Sequence, residues 1–128
     1  MVSAISEGIK ISIETMFQEQ YSNAENDHFM FAYKINIENL TDFPVQLMSR
    51  KWFIFDSIGE TRIVEGEGVV GLKPILTPNE SYTYVSGCQL KSEIGSMRGK
   101  YSMLNLHTER LFDVEIPEFE LIVPFKLN

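Results

Sequence analysis

From Phe29 to Glu38 the side chains alternate without interruption. Phe29, Phe31, Tyr33, Ile35 and Ile37 share one parity, and Met30, Ala32, Lys34, Asn36 and Glu38 share the other. A two-residue apolar period gathers one set onto a single face of an extended strand, whereas a helix would spread it around the axis. Ile9, Ile11 and Ile13 repeat the pattern against Lys10, Ser12 and Glu14. Five prolines and eight glycines punctuate the rest of the chain, and no long stretch carries the three-to-four-residue apolar period of a helix. The chain reads as all-β.

Turn chemistry separates the strands. Gln18 to His28 is a polar loop with Asn23 and Asn26-Asp27 as turn residues, and Asn39-Leu40-Thr41-Asp42 forms the next turn. Val45, Leu47, Trp52, Ile54 and Phe55 belong to one strand region whose phase shifts near Ser49-Arg50, which a bulge would absorb. Asp56-Ser57-Ile58-Gly59 reads as a hairpin connection into Glu60 to Glu65, and Pro78-Asn79-Glu80 turns the chain into Tyr82, Tyr84 and Ser86. Gly99 to Leu106, Leu111 to Ile116 and Phe119 to Phe125 complete the set, with Pro117 interrupting the last strands or confining them to an edge. Short strands at this spacing predict an antiparallel β-sandwich of about seven or more strands. A chain of 128 residues, 44% apolar, makes one domain over residues 1–128 with a short flexible N-terminus.

Charge narrows the partners. The formal net charge of −7 repels nucleic-acid phosphates and acidic membrane surfaces, and the bases do not cluster strongly. No segment approaches the roughly 20 apolar residues that span a bilayer. The Met1-Val2-Ser3-Ala4-Ile5-Ser6-Glu7 start lacks the basic region and apolar core of an export signal, and the single Cys88 precludes an internal disulfide. A cytoplasmic protein with no nucleic-acid or membrane partner is the expectation.

Gly66-Glu67-Gly68-Val69-Val70-Gly71 matches the G-x-G-x-x-G spacing of dinucleotide-binding loops, but that motif needs a helix to follow it. Lys73-Pro74 and Thr77-Pro78 follow instead, so no three-turn helix starts there. A structural turn or bulge is the first reading of these glycines. The second is an anion-binding nest at Gly66, Gly68, Gly71 and Lys73 taking phosphate or pyrophosphate, with Arg62 within reach and Glu67 opposing it. His28 and His107 lack metal-ligand companions, Cys88 lacks a nearby base, and Ser86 and Ser102 lack a nucleophile elbow. Glu115, Glu118 and Glu120 read as solvent-facing or loop acids. No catalytic residue, metal site or cofactor is expected. Arg50, Lys51, Trp52 and Phe53 are the candidate protein-interaction residues: an inward Trp52 anchors the core, and an exposed one beside Phe53 makes a hot spot. The core placement is favoured for Trp52.

Nearly the whole chain resembles the ApaG family of bacterial proteins. The matching stretches are Val45-Gln46-Leu47-Met48-Ser49-Arg50-Lys51-Trp52, Gly66 to Pro74, Tyr82-Thr83-Tyr84-Val85-Ser86-Gly87, Gly95-Ser96-Met97-Arg98-Gly99-Lys100-Tyr101 and Ile116-Pro117-Glu118-Phe119. The resemblance implies an immunoglobulin-like sandwich of fibronectin type III character, no enzymatic reaction, and a link to cobalt tolerance and magnesium efflux. Related eukaryotic domains imply protein recognition, and a phosphate-binding role is associated with the loop matched by Gly66, Gly68 and Gly71. The leading expectation is a non-enzymatic protein-interaction domain. Its rival is a phosphate-, pyrophosphate- or nucleotide-binding regulator using Gly66–Gly71, with a small hydrolase a distant third.

Overall fold

The computed structural model describes residues 1–124. Among these, the strands are β1 (Val2–Ser6), β2 (Ile9–Phe17), β3 (Phe29–Asn39), β4 (Val45–Asp56), β5 (Glu60–Glu67), β6 (Ile75–Leu76), β7 (Ser81–Leu90), β8 (Ile94–Asn105) and β9 (Arg110–Ile122). They form two antiparallel sheets, one ordered β1-β2-β3-β7 and the other β5-β4-β8-β9, with β6 paired to the start of β4. This is the antiparallel sandwich that the alternation predicts, with the fibronectin type III-like character that the family resemblance implies. Sequence alternation begins at Ile9; ahead of it Val2–Ser6 forms β1 along β2. The expected final segment through Phe125 runs past the described residues at its last position.

One face of each strand makes the core. Ile9, Ile11 and Ile13 of β2 and Phe29, Phe31, Tyr33, Ile35 and Ile37 of β3 are all buried, as their shared parity requires. Tyr33, Trp52 and Phe119 lock the two sheets together. Their ring centroids lie 5.5 Å apart for Tyr33–Trp52, 5.8 Å for Trp52–Phe119 and 5.9 Å for Tyr33–Phe119, within the range of favourable edge and tilted aromatic contacts.

Two irregularities decide which residues face inward. In β4 the register against β8 shifts between Leu47 and Ser49, so the bulge falls at Met48. Val45 and Leu47 point inward before it, and Trp52 and Ile54 after it. Without that extra residue, alternation from Leu47 would have placed Lys51 and Phe53 inside. In β9 the register shifts opposite Met97 and Gly99, and Pro117 with Glu118 occupies the irregularity. Pro117 therefore interrupts pairing without ending the strand, and β9 is an edge strand, as the proline expectation held.

The loops are pinned by two buried polar side chains. Asn39 donates to the carbonyls of Phe43 and Leu76, and its Oδ1 accepts from the Thr41 amide and hydroxyl. Asp56 accepts from the Lys91 amide at 2.6 Å and the Ser92 hydroxyl at 2.5 Å, tying the β4–β5 turn to the end of β7.

The two sides of the sandwich differ. On one side β9 packs against β1 and β2, and the Glu115 amide donates to Ser6 Oγ. On the other, β7 and β5 end their sheets, and every residue of β5 except Gly66 is exposed. The Arg62 guanidinium spans this side by donating to the Gln89 carbonyl at 2.5 Å. The sandwich is closed at β9 and open at β5.

Gly99 stands opposite Trp52, and a Cβ there would lie 2.2 Å from the Lys51 carbonyl oxygen, a backbone atom that cannot step aside. At Gly59, φ is +100° but nothing lies within 4 Å of the same position. Gly99→Ala is expected to cost about 3 kcal/mol in urea unfolding, and Gly59→Ala about 1 kcal/mol, from backbone strain alone. Equal costs at the two sites would contradict the packing described here.

Candidate functional site

The bulge at Met48 sets Arg50 on the inner face of β4, in register with the buried Tyr101 of β8. A guanidinium is always charged, and half-buried at the mouth of the sandwich it draws acceptors around itself. Arg50 finds them in the end of β5: one terminal amino group donates to the carbonyls of Glu67 and Gly68, each at 3.0 Å. Gly66, opposite Arg50 in the β4–β5 ladder, leaves the space for it; a Cβ at Gly66 would meet the guanidinium at 2.7–2.9 Å.

The remaining glycines shape the turn that follows. Gly68 has φ +61°, and a Cβ there would lie 2.2 Å from the Leu72 carbonyl oxygen, so this position admits no side chain. Its amide donates to the carbonyl of the bulged Met48, tying bulge to turn. Val69 and Leu72 exchange backbone hydrogen bonds of 2.8 and 3.0 Å around Val70 and Gly71, whose φ values are +47° and +76°. Positive φ at both central residues is the signature of a type I′ hairpin turn, which ordinarily selects Asn-Gly. A β-branched residue in that region is strained, and here Val70 is also 64% exposed.

Between this turn and β7 lies a cleft of about 290 Å³, lined by Tyr33, Arg50, Trp52, Glu67, Val69 to Gly71 and Tyr84 to Ser86. At its base the Tyr84 and Tyr101 hydroxyls are 2.5 Å apart. Burial pushes both phenols well above their ordinary range; for Tyr84 the Tyr101 hydroxyl pulls partly back, and for Tyr101 the charge on Tyr84 adds to the rise. Burial also raises Tyr33, against a hydrogen bond from Ser86. The positive Arg50 opposes the rise at all three tyrosines.

The structure thus brings together residues that were nominated for separate roles. Arg50 and the Gly66–Gly71 loop share one cleft. Lys73 extends toward Glu67, with Nζ 3.5 Å from the carboxylate. Trp52 is 2% exposed and serves the core, the favoured of its two sequence readings. Lys51 and Phe53 are on the opposite face of β4 from Arg50 and Trp52. There the Phe53 ring lies beneath Lys51 at 5.3 Å and Arg98 at 4.6 Å, while Lys51 pairs with Glu65 at 3.4 Å.

Other nominated groups lie elsewhere. The His28 backbone closes the 23–28 loop through Asn23, and the His107 amide caps onto Asn105. Among the described residues no group of three or more His, Cys, Asp and Glu side chains is placed to hold a metal ion. Cys88 is buried, which pushes its thiol up, with Arg62 opposing. The tyrosine cluster is the feature that sequence reading missed, although Tyr33 and Tyr84 already sat on apolar strand parities.

Because the folded phenols hold protons that unfolded phenols lose, stability should be independent of these groups below their ordinary value of 10.0 and fall as pH rises above it. Each such tyrosine steepens the fall by about 1.4 kcal/mol per pH unit. Urea unfolding of Tyr84→Phe between pH 9 and 11.5 should show a slope shallower by one proton. An unchanged slope would contradict the assignment.

Comparison with known proteins places this fold in company. A family model described as the ApaG domain matches residues 19–105. A Vibrio cholerae protein named ApaG is 48% identical over 120 residues, 94% of each chain. One of the same name from Anaeromyxobacter dehalogenans is 42% identical over 128 residues, covering both chains in full. The crystal structure of a Bordetella pertussis protein described as ApaA superposes with a TM-score of 0.87 at 36% identity, covering 91% of this chain and 94% of the other.

Proposed function

The chain belongs to the ApaG domain family, and we propose that it works as a non-enzymatic protein-recognition domain in the cytoplasm, seating its partner in the cleft between β7 and the 68–72 turn. The observation that carries this reading is Arg50. Its guanidinium rests on two carbonyls, and no carboxylate lies within ion-pair distance of it among the described residues. A cation left without a counter-charge, in a chain of net charge −7, is a feature that a partner can complete. Exposed Val70 and Val85 flank the same cleft with apolar surface. The outer face of β4 supports the reading less, because Phe53 is already engaged by Lys51 and Arg98. On this view the link to cobalt tolerance and magnesium efflux runs through whatever protein occupies the cleft.

A second reading, a phosphate-, pyrophosphate- or nucleotide-binding regulator, is favoured by one observation. The Val70 and Gly71 amides make no hydrogen bond within the chain among the described residues, and they lie beside Arg50. The other turn amides, of Gly68, Val69 and Leu72, donate to backbone carbonyls. Two free amides and one guanidinium are a small set of donors for a polyphosphate.

Placing a photoreactive phenylalanine analogue at Val85, and separately at Ile5 on the β1 edge of the same sheet, tests the proposal in living cells. The Val85 probe should give one discrete protein adduct that disappears in Arg50→Glu, and the Ile5 probe should not give it. Absence of a protein adduct at Val85, or an adduct indifferent to Arg50→Glu, would refute the recognition reading.

A further inference from the structure

We propose that the occupant of the cleft is an extended segment of a partner protein, which adds as a strand to the free edge of β7 and lays one acidic side chain on Arg50. This deepens the recognition reading and rests on it.

Backbone direction along β7 supplies the first argument. The Asn39 amide donates to the Glu80 carbonyl, so even-numbered residues of this segment turn their backbone groups toward β3. Gln89 accordingly turns its carbonyl the other way, onto Arg62. By the alternation of an antiparallel ladder, Thr83, Val85 and Gly87 direct their amides and carbonyls outward as well. Arg62 blocks this edge at Gln89 and leaves the stretch beside the cleft open. Such a row of unpaired groups is a template for a further strand.

Side-chain chemistry supplies the second. A strand added beside β7 directs every other side chain inward, into the gap between the sheets where Arg50 lies. At about 290 Å³ the cleft is at or below the lower limit of small-molecule sites, a size suited to one or two side chains. Arg50 selects a carboxylate for that position, because its neighbour Glu67 already faces Lys73. The lip of the cleft is apolar on both sides: Val85 on β7 is exposed, and so is Val70 across from it. Holding a valine at φ +47° on an exposed turn is strain without a packing return, and strain of that kind concentrates at sites that grip a ligand.

Selection from a displayed library of random twelve-residue peptides on the intact protein tests this occupant. Enriched sequences should carry an Asp or Glu at a fixed position among β-branched residues. A synthetic peptide of that sequence should shift the amide resonances of Thr83, Val85 and Gly87. Arg50→Gln, or Glu→Gln in the peptide, should weaken binding by about tenfold or more. Val85→Pro should abolish binding, since it removes an amide that β3 does not use; methylating alternate amides of the peptide should do the same without touching the protein.

Several results would overturn the proposal. They are no enrichment, enrichment without an acid, binding equal in Arg50→Gln, and tolerance of amide methylation. A dimer of the free protein that dissociates in Val85→Pro would make a second copy of this chain the occupant instead. Pyrophosphate saturating the Val70 and Gly71 amides while no peptide is selected would favour the anion reading. A protein adduct at Val85 without acid selection would keep the cleft as an interface and reject only the strand-and-carboxylate occupant.

Discussion

An arginine on the inner face of a β-sandwich governs the architecture of this protein's open side. Strand alternation carries Trp52 into the core, and Arg50, two residues earlier, must face the same way. Half-buried there, the charge is steadied by hydrogen bonds from one of its amino groups. The carbonyls of Glu67 and Gly68 accept them, Gly66 gives the guanidinium room, and Gly68 turns the chain where no side chain fits. The glycine spacing thus has a physical use that needs no bound ligand. It resembles a nucleotide loop because close approach to a charged group and a tight turn ask for glycine in either setting.

The same arginine links the turn to the buried tyrosines. Tyr33, Tyr84 and Tyr101 come from three strands in two sheets, and their hydroxyls gather where the apolar core gives way to the cleft. A core with hydroxyls at one end and aliphatic packing at the other is directional. Its closed side, at β9 and β1, is sealed by packing, and its open side, at β7 and β5, retains polar groups. Charged residues along β5, Glu60, Arg62, Glu65 and Glu67, protect that edge from indiscriminate pairing. The free edge of β7 carries less protection beside the cleft.

Much of the fold was legible because its strongest signals are local. The Phe29–Ile37 alternation survives intact since one face of β3 is buried along its length. The phase shift in β4 was also visible near Ser49-Arg50, and the bulge that absorbs it lies beside them at Met48. That bulge decides which of the two parities after it faces inward. It explains why Arg50, Lys51, Trp52 and Phe53, adjacent in sequence, divide into an inner pair and an outer pair. The convergence of Arg50 with Gly66–Gly71 was not legible, because it depends on β4–β5 register across a hairpin. Pro117 was legible as marking interrupted or edge pairing, and it sits in an irregularity of an edge strand, where a missing amide costs nothing to the ladder. The tyrosine cluster requires long-range placement that no spacing encodes.

The central claim is that Gly66 exists to seat Arg50, and a double-mutant cycle between Gly66→Ala and Arg50→Met measures it directly. In the presence of Arg50, the new methyl group should drive the guanidinium off its two carbonyls and cost about 2 kcal/mol, the scale of hydrogen bonds to a charged donor. With methionine at position 50 the same alanine should be neutral or stabilising by about 0.5 kcal/mol, as expected when glycine is replaced within a strand. That leaves a coupling well beyond the additivity of independent sites. Equal costs in the two backgrounds would show that the glycine serves some other purpose and would remove the foundation of the cleft.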